Sequence, residues 1–161
     1  MLTRIIIEGP DCSGKSTLVN QLKNSLRWDS KSLHHIECDQ FTRYFKEYAF
    51  ADKIIFDRSH ISEEVYSKLW RNGTSFQKNE KEVLDKILEI NGLIIFACPN
   101  IETLQDRHSS RNFSQQIKYS ELEKSRELFI EELSNHHYLI YLSKSYEELD
   151  KLIKKVKEMV K

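Results

Sequence analysis

Eight consecutive residues carry the strongest chemical signal in the chain. Gly9-Pro10-Asp11-Cys12-Ser13-Gly14-Lys15-Ser16 is a complete G-x-x-x-x-G-K-[ST] loop, followed by Thr17. Ile5-Ile6-Ile7 before it reads as a buried strand, and Thr17-Leu18-Val19-Asn20-Gln21-Leu22 after it opens an amphipathic helix. That flanking turns the pattern into a phosphate site. The glycines let the backbone curl so that several N–H groups face one anion, and the helix N-terminus adds partial positive charge. Lys15 is expected to reach the β- and γ-phosphates of a nucleotide, and the Ser16 hydroxyl to hold Mg²⁺.

A second group of candidates lies further on. Ile54-Ile55-Phe56-Asp57 ends an apolar run on an acid, the Walker-B form, and such a carboxylate can hold Mg²⁺ directly or through water. Arg58 beside it suits a phosphate through its planar guanidinium. The plainer alternative makes Asp57 and Arg58 a structural ion pair or a helix cap. Arg107 and Arg111, four residues apart, precede a polar stretch poor in helix formers. They read as a lid over about 107–117, or else as a solvated pair on a helix face.

These residues need a scaffold, and the chain alternates strand and helix patterns. Runs at 33–38, 53–56, 93–97 and 138–142 join Ile5–Ile7 as expected strands. Leu18, Leu22 and Leu26 keep helical spacing, as do Ile61, Val65 and Leu69. Val83, Leu84, Ile87 and Leu88 form a stripe stopped by Gly92. Leu122, Phe129 and Leu133 form another, and Leu149, Leu152, Ile153, Val156, Met159 and Val160 the last. Near-continuous apolar strands alternating with helices imply an α/β fold with a five-stranded, mostly parallel sheet covered on both faces. Ligands then bind beyond the carboxyl ends of the strands, where the loop 9–16, Asp39 and Asp57 all fall.

Composition bounds the rest. The 161 residues suit one domain spanning 1–161, and 25 basic side chains balance 25 acidic ones. A net charge of zero argues against a protein that coats nucleic acid. No apolar run reaches membrane-spanning length, and no leader pattern opens the chain. Cys12, Cys38 and Cys98 form no C-x-x-C pair, so a reducing cytoplasm is the expected home, with Cys38 and Cys98 as core fillers. Phe41, Tyr44, Phe45 and Tyr48 put aromatic rings beside the cleft, where one could stack on a base. His34-His35 and His136-His137 are expected at the surface or in turns.

The loop from Ile7 to Thr17 resembles the phosphate loop of thymidylate kinases, which carry an aspartate in the position of Asp11. Asp57-Arg58-Ser59 resembles the Asp-Arg-Tyr stretch of that family and the Glu-Arg-Ser stretch of deoxynucleoside kinases. Ser62 and Val65-Tyr66 continue the thymidylate kinase pattern, and 99–107 with Arg111 resembles the segment leading into an arginine-bearing lid. The resemblance implies a P-loop fold of the nucleoside monophosphate kinase type, with ATP as donor and Mg²⁺ as cofactor. It implies an acceptor that is a deoxynucleoside monophosphate, dTMP first. Asp11, Asp39, Phe41, Arg58 and Tyr66 would hold the acceptor. Gly9 and Asp11 through Thr17 would hold the donor. Arg107 and Arg111 would close over the moving group.

Three departures qualify it. The usual Arg-Glu-Pro after the second strand is absent, and the chain is short, as in nucleotide kinases encoded by some bacteriophages. Cys12 stands where some relatives carry an arginine. A deoxynucleoside kinase, a small-metabolite kinase and a nucleotide-dependent switch remain as alternatives. A nucleoside acceptor would require a base, for which Asp39 and Glu37 are candidates, whereas a phosphate acceptor needs none. The family also suggests a homodimer through the helix over 61–71 or the stripe 83–88.

Overall fold

The computed structural model describes residues 2–71, 73–110 and 117–160. Five strands form one parallel sheet in the order β2-β3-β1-β4-β5, where β1 is Arg4–Glu8, β2 Asp29–Ser32, β3 Ile54–Asp57, β4 Gly92–Ala97 and β5 Tyr138–Tyr141. Seven α-helices connect and cover it among the described residues: α1 Lys15–Leu26, α2 Gln40–Ala49, α3 His60–Trp70, α4 Lys78–Asn91, α5 Ile101–Ser109, α6 Leu122–Leu133 and α7 Tyr146–Met159. This is the expected α/β architecture.

Strand alternation splits the core in two. Ile5, Ile7, Ile55, Leu93 and Ile95 face one side, where they meet Leu18, Val19 and Leu22 of α1 and Leu149, Leu152 and Val156 of α7. Ile6, Phe56, Ile94 and Phe96 face the other, against Tyr44 and Tyr48 of α2, Ile61 and Val65 of α3, Leu84 and Leu88 of α4, and Phe129 and Leu133 of α6. Successive side chains point to opposite faces, so unbroken apolar runs can feed both layers. The central strand β1 has β3 on one side and β4 on the other. A crevice therefore opens beyond its carboxyl end, where the phosphate loop sits.

Several expectations need correction. The second strand is Asp29–Ser32, not 33–38. It is an edge strand, so the polar run Asp29-Ser30-Lys31-Ser32 needs only its backbone to pair with β3. Leu33 extends the ladder by donating its N–H to the Asp57 carbonyl at 3.0 Å, then buries its side chain. Helix α2 was not expected. Asp39 caps it by accepting from the Thr42 amide, and Tyr44 and Tyr48, one turn apart, are fully buried, so they pack the core and are not the stacking aromatic. Cys38 is exposed and so fills no core, whereas Cys98 is buried. His136 lies in the turn after α6, as one alternative had it, but it is buried, between Asp85 and Glu89 of α4.

Helix α4 runs into β4 without a connecting loop. A Cβ on Gly92 would lie 2.2 Å from the Leu88 carbonyl oxygen, so this junction needs glycine for closeness of approach. No helix among the described residues is long and apolar enough to cross a membrane.

Candidate active site

The phosphate loop is shaped by positive φ angles. Gly9 (144°), Cys12 (65°) and Gly14 (93°) all lie in the left-handed region, which folds the loop back on itself. A Cβ on Gly9 would stand 2.2 Å from the Ala97 carbonyl oxygen of β4, so the loop can enter the sheet edge only with glycine there. Gly14 leads into α1, whose first residues are Lys15, Ser16 and Thr17. The Lys15 ammonium is buried and donates to the carbonyls of Gly9 and Pro10, each at 2.7 Å. Burial, then the nearby Arg58 guanidinium, pull its pKa down to about 8. A phosphate arriving there would replace two neutral acceptors by a charged one. The Ser13 hydroxyl oxygen is also buried, with no hydrogen-bond partner among the described residues.

Asp57 ends β3 beside this loop. Its Oδ1 is buried and has no partner among the described residues. Ser59, not Asp57, caps α3 by accepting from the Ile61 amide at 3.1 Å. Arg58 does not pair with Asp57 either. Its Nη2 donates to Asp11 Oδ1 at 2.6 Å, and its guanidinium lies 5.0 Å from the Tyr66 ring centroid. The structural ion pair and helix-cap alternatives for Asp57 are thus not what the chain builds. The unpartnered buried carboxylate oxygen of Asp57 and the Ser16 side chain, both lining the phosphate cavity, are a donor set that fits Mg²⁺.

Arg58 itself has φ 77°, a strained setting for a residue with a Cβ. Its amide donates to the Ile7 carbonyl at 3.0 Å, which fixes the side chain over the loop. Burial works against ionisation of Asp11, but the charges of Arg58 and Lys15 outweigh it and hold the carboxyl below its usual range. Glu8, fully buried at the end of β1, accepts from the Ser59 and Ser62 hydroxyls and so clamps the start of α3 to the phosphate loop.

Three adjoining cavities form the cleft. The first, of about 380 Å³, lies between Arg107 of α5, Tyr141 and the segment Ser143–Tyr146, with Cys12, Gly14 and Thr17 at its floor. The second, about 170 Å³, is the phosphate cavity, walled by the loop together with Asp57, Arg58 and His34. The third, about 220 Å³, runs from Asp11 and Arg58 past Tyr66 to His35, Trp70 and Arg71. Arg107 donates to the Cys12 carbonyl at 3.2 Å and to the carbonyl and hydroxyl of Ser143 at 3.0 Å each. It is thus tied to the wall of the first cavity. Arg111 and residues 112–116 of the expected lid lie outside the described residues.

The remaining expected residues divide. Tyr66 lines the third cavity. Asp39 is exposed, its carboxylate engaged by the Thr42 amide at 3.2 Å and hydroxyl at 2.6 Å, and it lines none of the three cavities; Glu37 is exposed as well. Phe41 packs against the core and against Phe45, with ring centroids 5.9 Å apart.

Sequence reasoning missed His34, Glu63, Trp70, Arg71, Ser143 and Tyr146. Glu63 is buried at the far end of the third cavity and accepts from Arg71, from Ser75 Oγ at 2.9 Å, and pairs with His35 Nδ1 at 3.0 Å. A Glu63-to-Arg71 spacing of eight residues, two turns on one helix face, was the available signal.

No protein-family model matches this chain. The SPbeta prophage-derived uncharacterized protein YorR of Bacillus subtilis (strain 168) is 24% identical over 139 residues, covering 83% of this chain and 84% of the relative. The crystal structure of YorR in complex with phosphorylated GDP has a TM-score of 0.82 at 22% identity, covering 98% of this chain and 95% of that one. Deoxyadenosine kinase from M. mycoides, solved with dCMP and dCDP, gives a TM-score of 0.64 at 14% identity over 97% and 99% of the two chains. The same kinase with dATP bound gives 0.63 at 15% identity, over 96% and 99%. At these identities the likeness establishes the fold: the chain has the P-loop fold of the nucleoside kinases.

Proposed function

We propose that this protein is a nucleotide kinase that moves the γ-phosphoryl group of ATP to a deoxynucleoside monophosphate, with dTMP first among acceptors. The observation that carries this reading is Arg58. It stands at the neck between the phosphate cavity and the third cavity, held by Asp11 on one side and Tyr66 on the other. A guanidinium so placed can hold an acceptor phosphate against the like charge of the donor. Asp39 and Glu37, the acids expected to serve a sugar hydroxyl as base, are exposed and line neither cavity at the neck. A phosphate monoester is already ionised near neutral pH and needs no base.

In this reading the donor base occupies the cavity beside Arg107 and Tyr146, and its phosphates follow the loop past Lys15. The bond from the γ-phosphorus to the β,γ-bridging oxygen breaks, and a bond to the acceptor phosphate oxygen forms, with ADP leaving. The charge on the moving group is met by Lys15, the loop N–H groups and Arg58, so catalysis is positioning plus electrostatic stabilisation. Ser16 and Asp57 would hold Mg²⁺, which when bound offsets the donor's phosphate charge. Asp11 restrains Arg58, and Glu8 fixes the segment that carries it.

A second reading has its own observation. The unpartnered Oδ1 of Asp57, in the phosphate cavity, would be the base for a nucleoside 5′-hydroxyl, and the fold's solved examples include deoxyadenosine kinase. An ADP-release assay with ATP and Mg²⁺, run against nucleosides and nucleoside monophosphates of all four bases in deoxy and ribo forms, separates them. Turnover with deoxynucleoside monophosphates supports the first reading. Turnover with nucleosides alone replaces it by the second. Slow hydrolysis indifferent to every acceptor rejects both and points to a nucleotide-dependent switch. Lys15→Ala should be silent throughout.

A further inference from the structure

The phosphate cavity and the third cavity share three residues: Asp11, Arg58 and His34. An acceptor reaching from one into the other must pass these side chains. Asp11 and Arg58 are joined at 2.6 Å, so their charges largely offset each other at the neck. His34 is the third wall, and no role follows for it from the loop motif or the fold.

Its place is set by the strand edge. Leu33 is buried and bonded through its amide to the Asp57 carbonyl, which anchors the backbone one residue before His34. The imidazole Nε2 lies 2.9 Å from the Ser32 hydroxyl. A hydroxyl that donates to Nε2 leaves the ring proton on Nδ1, so even a neutral imidazole keeps an N–H for an anion. With the Ser32 hydroxyl as donor, the strand edge holds an imidazole N–H at the neck although the ring itself is exposed.

Resting on the monophosphate-acceptor reading, we propose that His34 is a ligand of the acceptor phosphate. Its imidazole N–H donates to an oxygen of that phosphate, opposite the Arg58 guanidinium, and so aims the attacking oxygen at the donor. The interaction exists both in the bound substrate and during transfer. Its loss therefore shows mainly in the acceptor KM.

The test is steady-state kinetics of the full chain with dTMP, or with whichever deoxynucleoside monophosphate the wild type turns over best. His34→Ala is expected to raise the acceptor KM roughly tenfold, the usual scale for one hydrogen bond to a charged group. The donor KM should stay within about twofold, which also shows that the neighbouring phosphate site is intact. His34→Gln, which keeps an N–H, should recover most of the loss. An unchanged acceptor KM in His34→Ala would overturn the proposal, as would equal rises in both KM values. A fall in kcat alone, repaired at higher pH, would overturn it in favour of a base. Failure of the function itself has a different signature: the wild type would then turn over no monophosphate at all.

Discussion

Arg58 occupies a strained backbone setting, and the strain can be measured. At φ 77° a residue with a Cβ is about 1 kcal/mol worse than glycine. The side chain repays this through Asp11 at 2.6 Å and the Tyr66 ring at 5.0 Å. Removing one partner of a fully buried pair costs about 3–5 kcal/mol. Here the two side chains are 21% and 24% exposed, which reduces the figure to about 1–3 kcal/mol. The ring contact adds about 0.5–1 kcal/mol. Arg58→Ala should therefore lose about 2–3 kcal/mol in urea unfolding. Arg58→Gly should lose about 1 kcal/mol less, because it keeps the deficit in contacts but sheds the strain. Adding Asp11→Asn to Arg58→Ala should restore part of the loss, since no carboxylate is then stranded. Both Arg58 variants should lose on the order of a hundredfold in kcat/KM for the acceptor. Equal stability of the Ala and Gly variants would refute the strain argument. Near wild-type turnover with a monophosphate would remove Arg58 from the site.

Two further outcomes follow from other parts of the structure. Arg107→Ala removes donors to Cys12 and Ser143 that join the phosphate loop to the segment after β5. The donor KM should rise about tenfold with the acceptor KM nearly unchanged, and a larger effect on the acceptor would contradict its place in the first cavity. The second outcome concerns acid. Burial lowers the pKa of His60, only partly opposed by Asp85, so the ring stays neutral in the fold. The unfolded chain takes up that proton below about pH 6.5, so stability should fall as pH drops from 6.5. Burial disfavours ionised Asp85, yet hydrogen bonds from His136 and His60 and the Lys81 charge hold its pKa well below the carboxylate range. Its contribution is present above about pH 4 and is lost below it. Thermal unfolding from pH 7.5 to 3.5 should show both declines, with the lower one shallower in Asp85→Asn. A flat profile between pH 7 and 5 would contradict a neutral buried His60.

What could be read in the chain depended on whether a residue's neighbours in sequence are also its neighbours in space. The phosphate loop is local: strand, glycines, Lys15 and helix are contiguous, so the pattern alone placed them. The apolar strands were legible for a similar reason, since the middles of β1, β3 and β4 are buried on both faces and read as apolar runs. β2 broke that logic because an edge strand is held by backbone pairing, and its side chains record solvent instead of the core. Leu33 and Ile36 give the segment 33–38 a strand-like pattern one step beyond the strand itself.

The same distinction runs through the site. Asp57 and Arg58 were found because they end a strand. Their partners were not, because Asp11 lies 47 residues from Arg58, and Glu8 is 51 and 54 residues from the serines that hold it. Polar side chains carry no periodicity that reports contact across such spans. His34 is the sharpest instance. An exposed histidine just past an edge strand has no pattern, and only the meeting of two cavities at β2 and the phosphate loop gives it a task. Asp39 is the converse: an acid at a strand-helix junction with the form of a functional residue, spent instead on starting a helix through Thr42. Capping and catalysis both select acids at the ends of strands, so in this fold the sequence names candidates, and the hydrogen-bond partner decides which of them is left free to meet a ligand.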